Sequence, residues 1–207
     1  MKLELIPVFE LKPYHPNLHR PKYPYSNEEY DTFLNQVHKL NGFQYSLQPI
    51  VIGYNLYPIE QTSDFNILKI LQDTIQNDKY GLEGGFALCK RTEGTITPLL
   101  THRCCSDLND IDSWLKLAEK DLNGFWIGHP MLSCEIQDNQ IRFIEEEDEE
   151  LEDILIPFVD FQIAAKELKD KLKNIRQQFL RIAIKHQLDL SKINELIRFT
   201  EYDQNKL

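Results

Sequence analysis

Five residues have the side chains most able to do chemistry: His102, Cys104, Cys105, His129 and Cys134. Imidazoles and thiolates bind zinc, and a thiol beside an imidazole base is a nucleophile, so a metal site and a cysteine-based enzyme are both conceivable. Their spacing argues against each. A structural zinc site presents paired ligands on tight loops such as Cys-x-x-Cys, and the sequence has no such pair. Cys104 and Cys105 are neighbours, which on a strand would point them to opposite faces. No flanking signature of a cysteine protease surrounds them, and Gly-x-Ser-x-Gly, His-Glu-x-x-His and dinucleotide fingerprints do not occur. Glu83-Gly84-Gly85 lacks the Gly-Lys-Ser/Thr of a phosphate-binding loop and reads as a turn into a strand. The expectation is therefore no cofactor and no metal, with the cysteines as small buried hydrophobes and His129 bonded to backbone before Pro130. The alternative is a small cysteine/histidine-based enzyme or metal-binding protein centred on His102, Cys104 and His129. Convergence of those side chains in a cleft would favour it.

Charge is the second chemical signal. The chain of 207 residues carries a formal net charge of -10, and eight of its carboxylates fall between residues 145 and 153 with no cation among them. Such a surface suits a basic partner and not a nucleic acid, where affinity rests on neutralising phosphates. A helix-break-helix pattern over residues 180 to 199 offers only Lys192 and Arg198 as contacts and does not make a DNA reader. The run from Glu145 to Asp153 has three possible uses: a ridge that meets a cationic protein, a solvated loop, or a strand of charge folded back on Lys166, Lys169, Lys171, Lys173, Arg176, Arg181 and Lys185 of the following helix.

Four prolines between Lys12 and Tyr25 forbid regular structure there and favour an extended path. Tyr14, Tyr23 and Tyr25 lie on it, either packed along the domain as a strap or offered to a partner.

The elements that position these groups follow from periodicity. Leu3 to Leu11 suits a first strand. Ser26-x-x-Glu29 is a capping box, followed by Tyr30, Phe33, Leu34, Val37 and Leu40 at helical spacing and stopped by Asn41-Gly42. Phe43 to Tyr54 reads as a largely buried strand. Ser63-Asp64 caps a second helix with Leu68, Leu71 and Ile75, closing near Tyr80-Gly81. Phe86 to Arg91 and Thr95 to Arg103 form a hairpin about Glu93-Gly94, with Pro98 marking an edge or a bulge. A third helix from Asp107 to Leu122 carries Leu108, Ile111, Leu115 and Ala118, with Trp114 beside the stripe. In the next hairpin, Asp138-Asn139 is a two-residue turn that sets Gln137 opposite Gln140, Ile136 opposite Ile141, Glu135 opposite Arg142, Cys134 opposite Phe143 and Ser133 opposite Ile144. That register alone gathers Leu132, Cys134, Ile136, Ile141 and Phe143 on one face. A long helix from about Asp160 to His186, with Phe161, Ala165, Leu168, Leu172, Ile175, Phe179 and Ile182 as an apolar seam at spacings of three and four, and a short one from Lys192 to Phe199 close the chain.

The whole is an α+β fold: a mostly antiparallel sheet with flanking helices and a long C-terminal helix, divided as an α+β domain over residues 1–157 and a helical extension over 158–207 packed on it. Charges interrupt the N-terminal apolar run and no stretch approaches the ~20 apolar residues of a membrane span, so the expectation is a soluble, cytoplasmic protein with no membrane partner.

The helix 107–122, the Trp126-Ile-Gly-His-Pro130 segment and the polar-turn hairpin together resemble bacterial immunity proteins of polymorphic toxin systems. The resemblance covers about forty residues. It implies a small acidic, non-catalytic inhibitor that blocks a cognate toxin by protein-protein contact, and it transfers no site residues. The contact surface expected from the residues themselves comprises Glu145, Glu146, Glu147, Asp148, Glu149 and Glu150 with Tyr14, Tyr23 and Tyr25.

Overall fold

The computed structural model describes residues 2–44, 47–104, 106–146 and 153–201. Strand β1 (Lys2–Glu10) is buried from Leu3 to Phe9, so it lacks the polar alternation of a half-exposed strand. It is central in an antiparallel sheet of order β2-β1-β3-β4, where β2 is Leu56–Pro58, β3 is Gly84–Thr92 and β4 is Thr95–Leu100. Leu3, Leu5 and Phe9 enter the main core, while Ile6 and Val8 join Leu56, Ala87 and Cys89 in a second cluster.

Helix α1 (Asn27–Leu40) begins at the expected capping box: the Glu29 amide donates to Ser26 Oγ at 3.1 Å, and the Ser26 amide donates to Glu29 Oε2 at 2.8 Å. Helix α2 (Asp64–Gln76) starts on Ser63 but ends four residues before Tyr80-Gly81, and it turns Ile67, Ile70 and Leu71 inward, leaving Leu68 and Ile75 half-buried. Helix α3 (Ile111–Ala118) follows a 3₁₀ turn at Leu108–Asp110 and is shorter than its apolar stripe suggests. Lys120 takes a positive φ of 65°, which ends the helix and leaves Leu122 exposed. Trp114 is fully buried, meeting Phe125 edge-on at 5.6 Å and Phe161 at 6.2 Å, so it belongs to the stripe it was placed beside.

The Phe43–Tyr54 strand is a correction. Among its described residues none pairs in a strand: residues 50–54 bend through a turn in which Tyr54 N donates to Val51 O, and Ile50 N donates to Leu56 O across it. Their apolar side chains are still used, Leu47 in the main core and Ile50 and Tyr54 over the second cluster. Burial without ladder pairing is the result of Pro49 and of Gly53, whose φ is +86°.

The second sheet is the expected hairpin with an added strand. Strands β5 (Leu132–Gln137) and β6 (Gln140–Glu145) pair in the predicted register, residue for residue. Strand β7 (Ile154–Pro157), absent from the sequence expectation, pairs on the other side of β6. In the first sheet β4 is an edge strand, and Pro98 lies at a register shift where Leu88 pairs with Leu100 but Cys89 with Pro98. Both uses foreseen for Pro98 are therefore present.

Helix α4 (Phe158–Lys185) packs along β1 and buries Phe161, Ala165, Leu168, Leu172, Ile175, Phe179 and Ile182, the whole predicted seam. Helix α5 (Leu190–Leu196) and a 3₁₀ turn at Arg198–Thr200 end the described chain. One apolar cluster joins residues from β1 to Phe199. The fold is α+β with two antiparallel sheets. Among the described residues no helix is long and apolar enough to cross a membrane. Phe9 and Phe179 stack at 6.0 Å where the end of β1 meets α4. Truncation there leaves a cavity that neither rigid element can close. Phe9→Ala is expected to cost about 3 to 5 kcal/mol in equilibrium urea unfolding.

Candidate functional site

The proline-rich strap leaves β1 and is fastened to α1. Tyr25 stacks on Tyr30 with ring centroids 5.1 Å apart, and the Arg20 guanidinium lies over the Tyr30 ring at 4.8 Å. Leu18 adds a contact to the same cluster of Tyr30, Phe33, Leu34 and Val37, and Asn41 Nδ2 donates to Tyr14 O at 3.0 Å. Of the three tyrosines expected at a partner surface, Tyr25 is thus half-buried and structural on one face. Tyr14 and Tyr23 are 68% and 88% exposed.

The acidic run is only partly in view. Glu147, Asp148, Glu149 and Glu150 lie outside the described residues. Glu146 is exposed, whereas the Glu145 side chain is largely covered and sits 3.3 Å from Arg103. At the other end, Asp153 pairs with Arg142, which also reaches Glu135 at 3.4 Å. The two visible ends are therefore held by arginines of the sheet region and not by α4. Helix α4 spends several of its cations elsewhere: Lys171 on Glu4 and Glu60, Arg176 on Glu201, and Arg181 on Asp64.

The described members of the His and Cys set lie in three places: Cys104 with His129, His102 against Gly85, and Cys134 in β5. Cys104 and His129 face each other across an isolated antiparallel bridge, with Sγ 3.6 Å from Nδ1. Cys104 is exposed, contrary to the expectation of a buried cysteine, because its segment runs along the surface. His102 is buried against Gly85, where an added Cβ would come within 2.8 Å of its ring. Its Nε2 is 3.5 Å from Glu10 Oε2, without the alignment of a hydrogen bond. Cys105 lies outside the described residues. Cys89 and Cys134 fit the expectation better: burial pushes both thiols up to about 12. Among the described residues no three His, Cys, Asp or Glu side chains are grouped to hold a metal ion. The three alternative-site residues thus do not meet in one cleft, although two of them meet.

A cavity of about 290 Å³ was not anticipated. Leu11, Phe43 and Ile70 supply its apolar wall, and its rim holds the ion pairs Lys69–Asp73 at 3.0 Å and Lys79–Glu83 at 2.9 Å, with Lys12 also on Glu83. Its lining comes from the ends of β1, α1 and α2, so no local spacing could have announced it. The one sequence signal was His38, a polar residue between the apolar positions Leu34 and Val37 and the helix end.

Against protein-family models, curated proteins and solved structures, the chain has no match. Function therefore has to be argued from the groups just described.

His38 contributes a measurable electrostatic signature. It is 3% exposed, its Nε2 lies 2.8 Å from the Tyr57 hydroxyl, and its Nδ1 has no hydrogen-bond partner. Burial lowers its pKa from the ordinary value of 6.5 to about 4, and burial also raises that of the Tyr57 phenol. The folded protein holds His38 neutral while the unfolded chain takes up a proton below pH 6.5. Stability from this group is complete above that pH and falls as pH drops from 6.5 towards 4, by about 3 kcal/mol in all. In His38→Gln this slope should disappear from urea-unfolding free energies measured between pH 7 and pH 4, whatever the variant's stability at pH 7.

Proposed function

We propose that this chain is a non-catalytic binding protein of the immunity type, neutralising a cognate toxin by protein-protein contact. The observation that carries the reading is the pairing of exposed Tyr14 and Tyr23 with a strap whose backbone and neighbouring side chains are fastened to α1. Large aromatic rings carried on a backbone that is already fixed make effective contact anchors, because less chain entropy remains to be lost on binding. The net charge of -10 and the exposed Glu146 support a partner with a basic surface, which complementary charge would draw in faster. Neither the tyrosines nor the carboxylates of the acidic run require a cofactor for this role.

The test uses the product of the reading frame adjoining this protein's gene. Co-expression of the chain should restore growth to cells poisoned by that product, and the purified pair should bind. Tyr14→Ala with Tyr23→Ala should weaken binding by about tenfold or more in calorimetry. A second variant, with Glu145, Glu146, Glu147, Glu149 and Glu150 changed to Gln and Asp148 to Asn, should bind more slowly and with less dependence on salt. Undiminished affinity in the tyrosine variant would remove the strap from the contact, and a salt response equal to wild type would remove the acidic run.

A further inference from the structure

We infer that Cys104 and His129 form a thiol modification site, at which Cys104 exchanges with low-molecular-weight disulfides to give a mixed disulfide. Three observations on different parts of the chain lead there. The first is the distance of 3.6 Å between Cys104 Sγ and His129 Nδ1 on an exposed stretch of surface. A thiol reacts as its thiolate, and a neighbouring imidazole both accepts the proton and stabilises the anion left behind.

The second is that the backbone fixes the two side chains together. His129 N donates to Cys104 O at 3.0 Å, and Arg103 N donates to His129 O. Gly128 makes the approach possible: its φ is +95°, and an added Cβ would stand 2.6 Å from Cys104 O. On its other side the imidazole meets Trp126 edge-on, with centroids 5.7 Å apart. The segment Trp126-Ile-Gly-His-Pro130 therefore delivers an imidazole to a thiol.

The third is selectivity within the protein. Cys89 is wholly buried and Cys134 half-buried, and burial disfavours the thiolate of each. An external reagent meets neither on equal terms with Cys104.

Disulfide exchange suits this site because it asks little of the surroundings. It needs collinear approach of the thiolate to one sulfur and departure of a second thiolate, without a pocket for an oxyanion. Cys104 gives its proton to His129 Nδ1, and the thiolate attacks one sulfur of the small disulfide. The new S–S bond forms as the old one breaks, and the departing thiolate takes the proton back from His129. One disulfide and one protein thiol give one mixed disulfide and one small thiol, so electrons and protons balance.

The test is incubation of the native full chain with oxidised glutathione at pH 7, followed by peptide mass spectrometry. It is repeated in Cys105→Ser to separate the adjacent cysteine. One glutathionyl group is expected on Cys104, with Cys89 and Cys134 unmodified. Its rate should exceed that of Cys104 in the urea-unfolded chain by at least about fivefold. In His129→Gln the rate at pH 7 should fall by at least about fivefold and converge on wild type near pH 10, where the thiol is ionised without help. The comparison of native with unfolded wild-type protein stands even if that variant folds poorly. Labelling confined to Cys105, or a native rate below that margin, would overturn the site. A folded His129→Gln protein that reacts like wild type at pH 7 would overturn the role of the imidazole.

Discussion

Burying both faces of β1 constrains almost everything else in this molecule. The strand needs cover on each side, and α4 supplies one while Ile50 and Tyr54, from the bends before β2, help supply the other. Glu4 sits within the strand and is 7% exposed, so its charge must be answered locally. Arg91 Nε reaches it at 2.7 Å and Lys171 Nζ at 3.4 Å, and the Arg91 hydrogen bond, followed by the lysine's field, holds the carboxyl below its usual range despite burial. The pair ties β3 and α4 to β1 at one point. Removing a single partner would leave a largely buried charge uncompensated, which makes the arrangement a requirement of this packing more than a source of net stability.

The candidate sites are consequences of the same packing. Once β1 is sandwiched, the chain leaving it must cross α1 in the open, and the prolines keep that crossing extended while Tyr25 and Arg20 fasten it. The cavity near His38 lies where the ends of β1, α1 and α2 converge without filling the space. Cys104 and His129 meet because the chain leaving β4 runs past the first sheet and forms an isolated bridge to the residues entering β5. Each site is thus assembled at a junction between elements, with the elements themselves fully occupied by the core.

Local features were legible in the sequence and distant ones were not. The β5–β6 register followed from a two-residue turn and alternating side chains, both within a dozen residues of one another, and it was found intact. The seam of α4 was visible because its buried side repeats every three or four residues. The 43–54 segment failed because apolar content reports burial, and burial does not imply pairing when proline and glycine interrupt the ladder. Strand β7 was hidden behind the acidic run, whose composition masks the four residues that follow. Of the candidate residues, Tyr14 and Tyr23 were placed by the prolines on an extended path, and both are exposed there. Cys104 and His129 were named together as an alternative site, but their contact without His102 could not be read, since it depends on Gly128 and spans 25 positions in sequence.

Pro98 has a consequence for how the protein behaves among copies of itself. As the outer strand of the first sheet, β4 would ordinarily present a row of amides and carbonyls that a second extended chain could join. A proline has no amide hydrogen to offer, and the register shift at the same place interrupts the regular spacing such a chain would need. At the opposite margin β2 is only three residues long. The sheet is therefore poorly suited to growing sideways, which protects its buried central strands from templating aggregation.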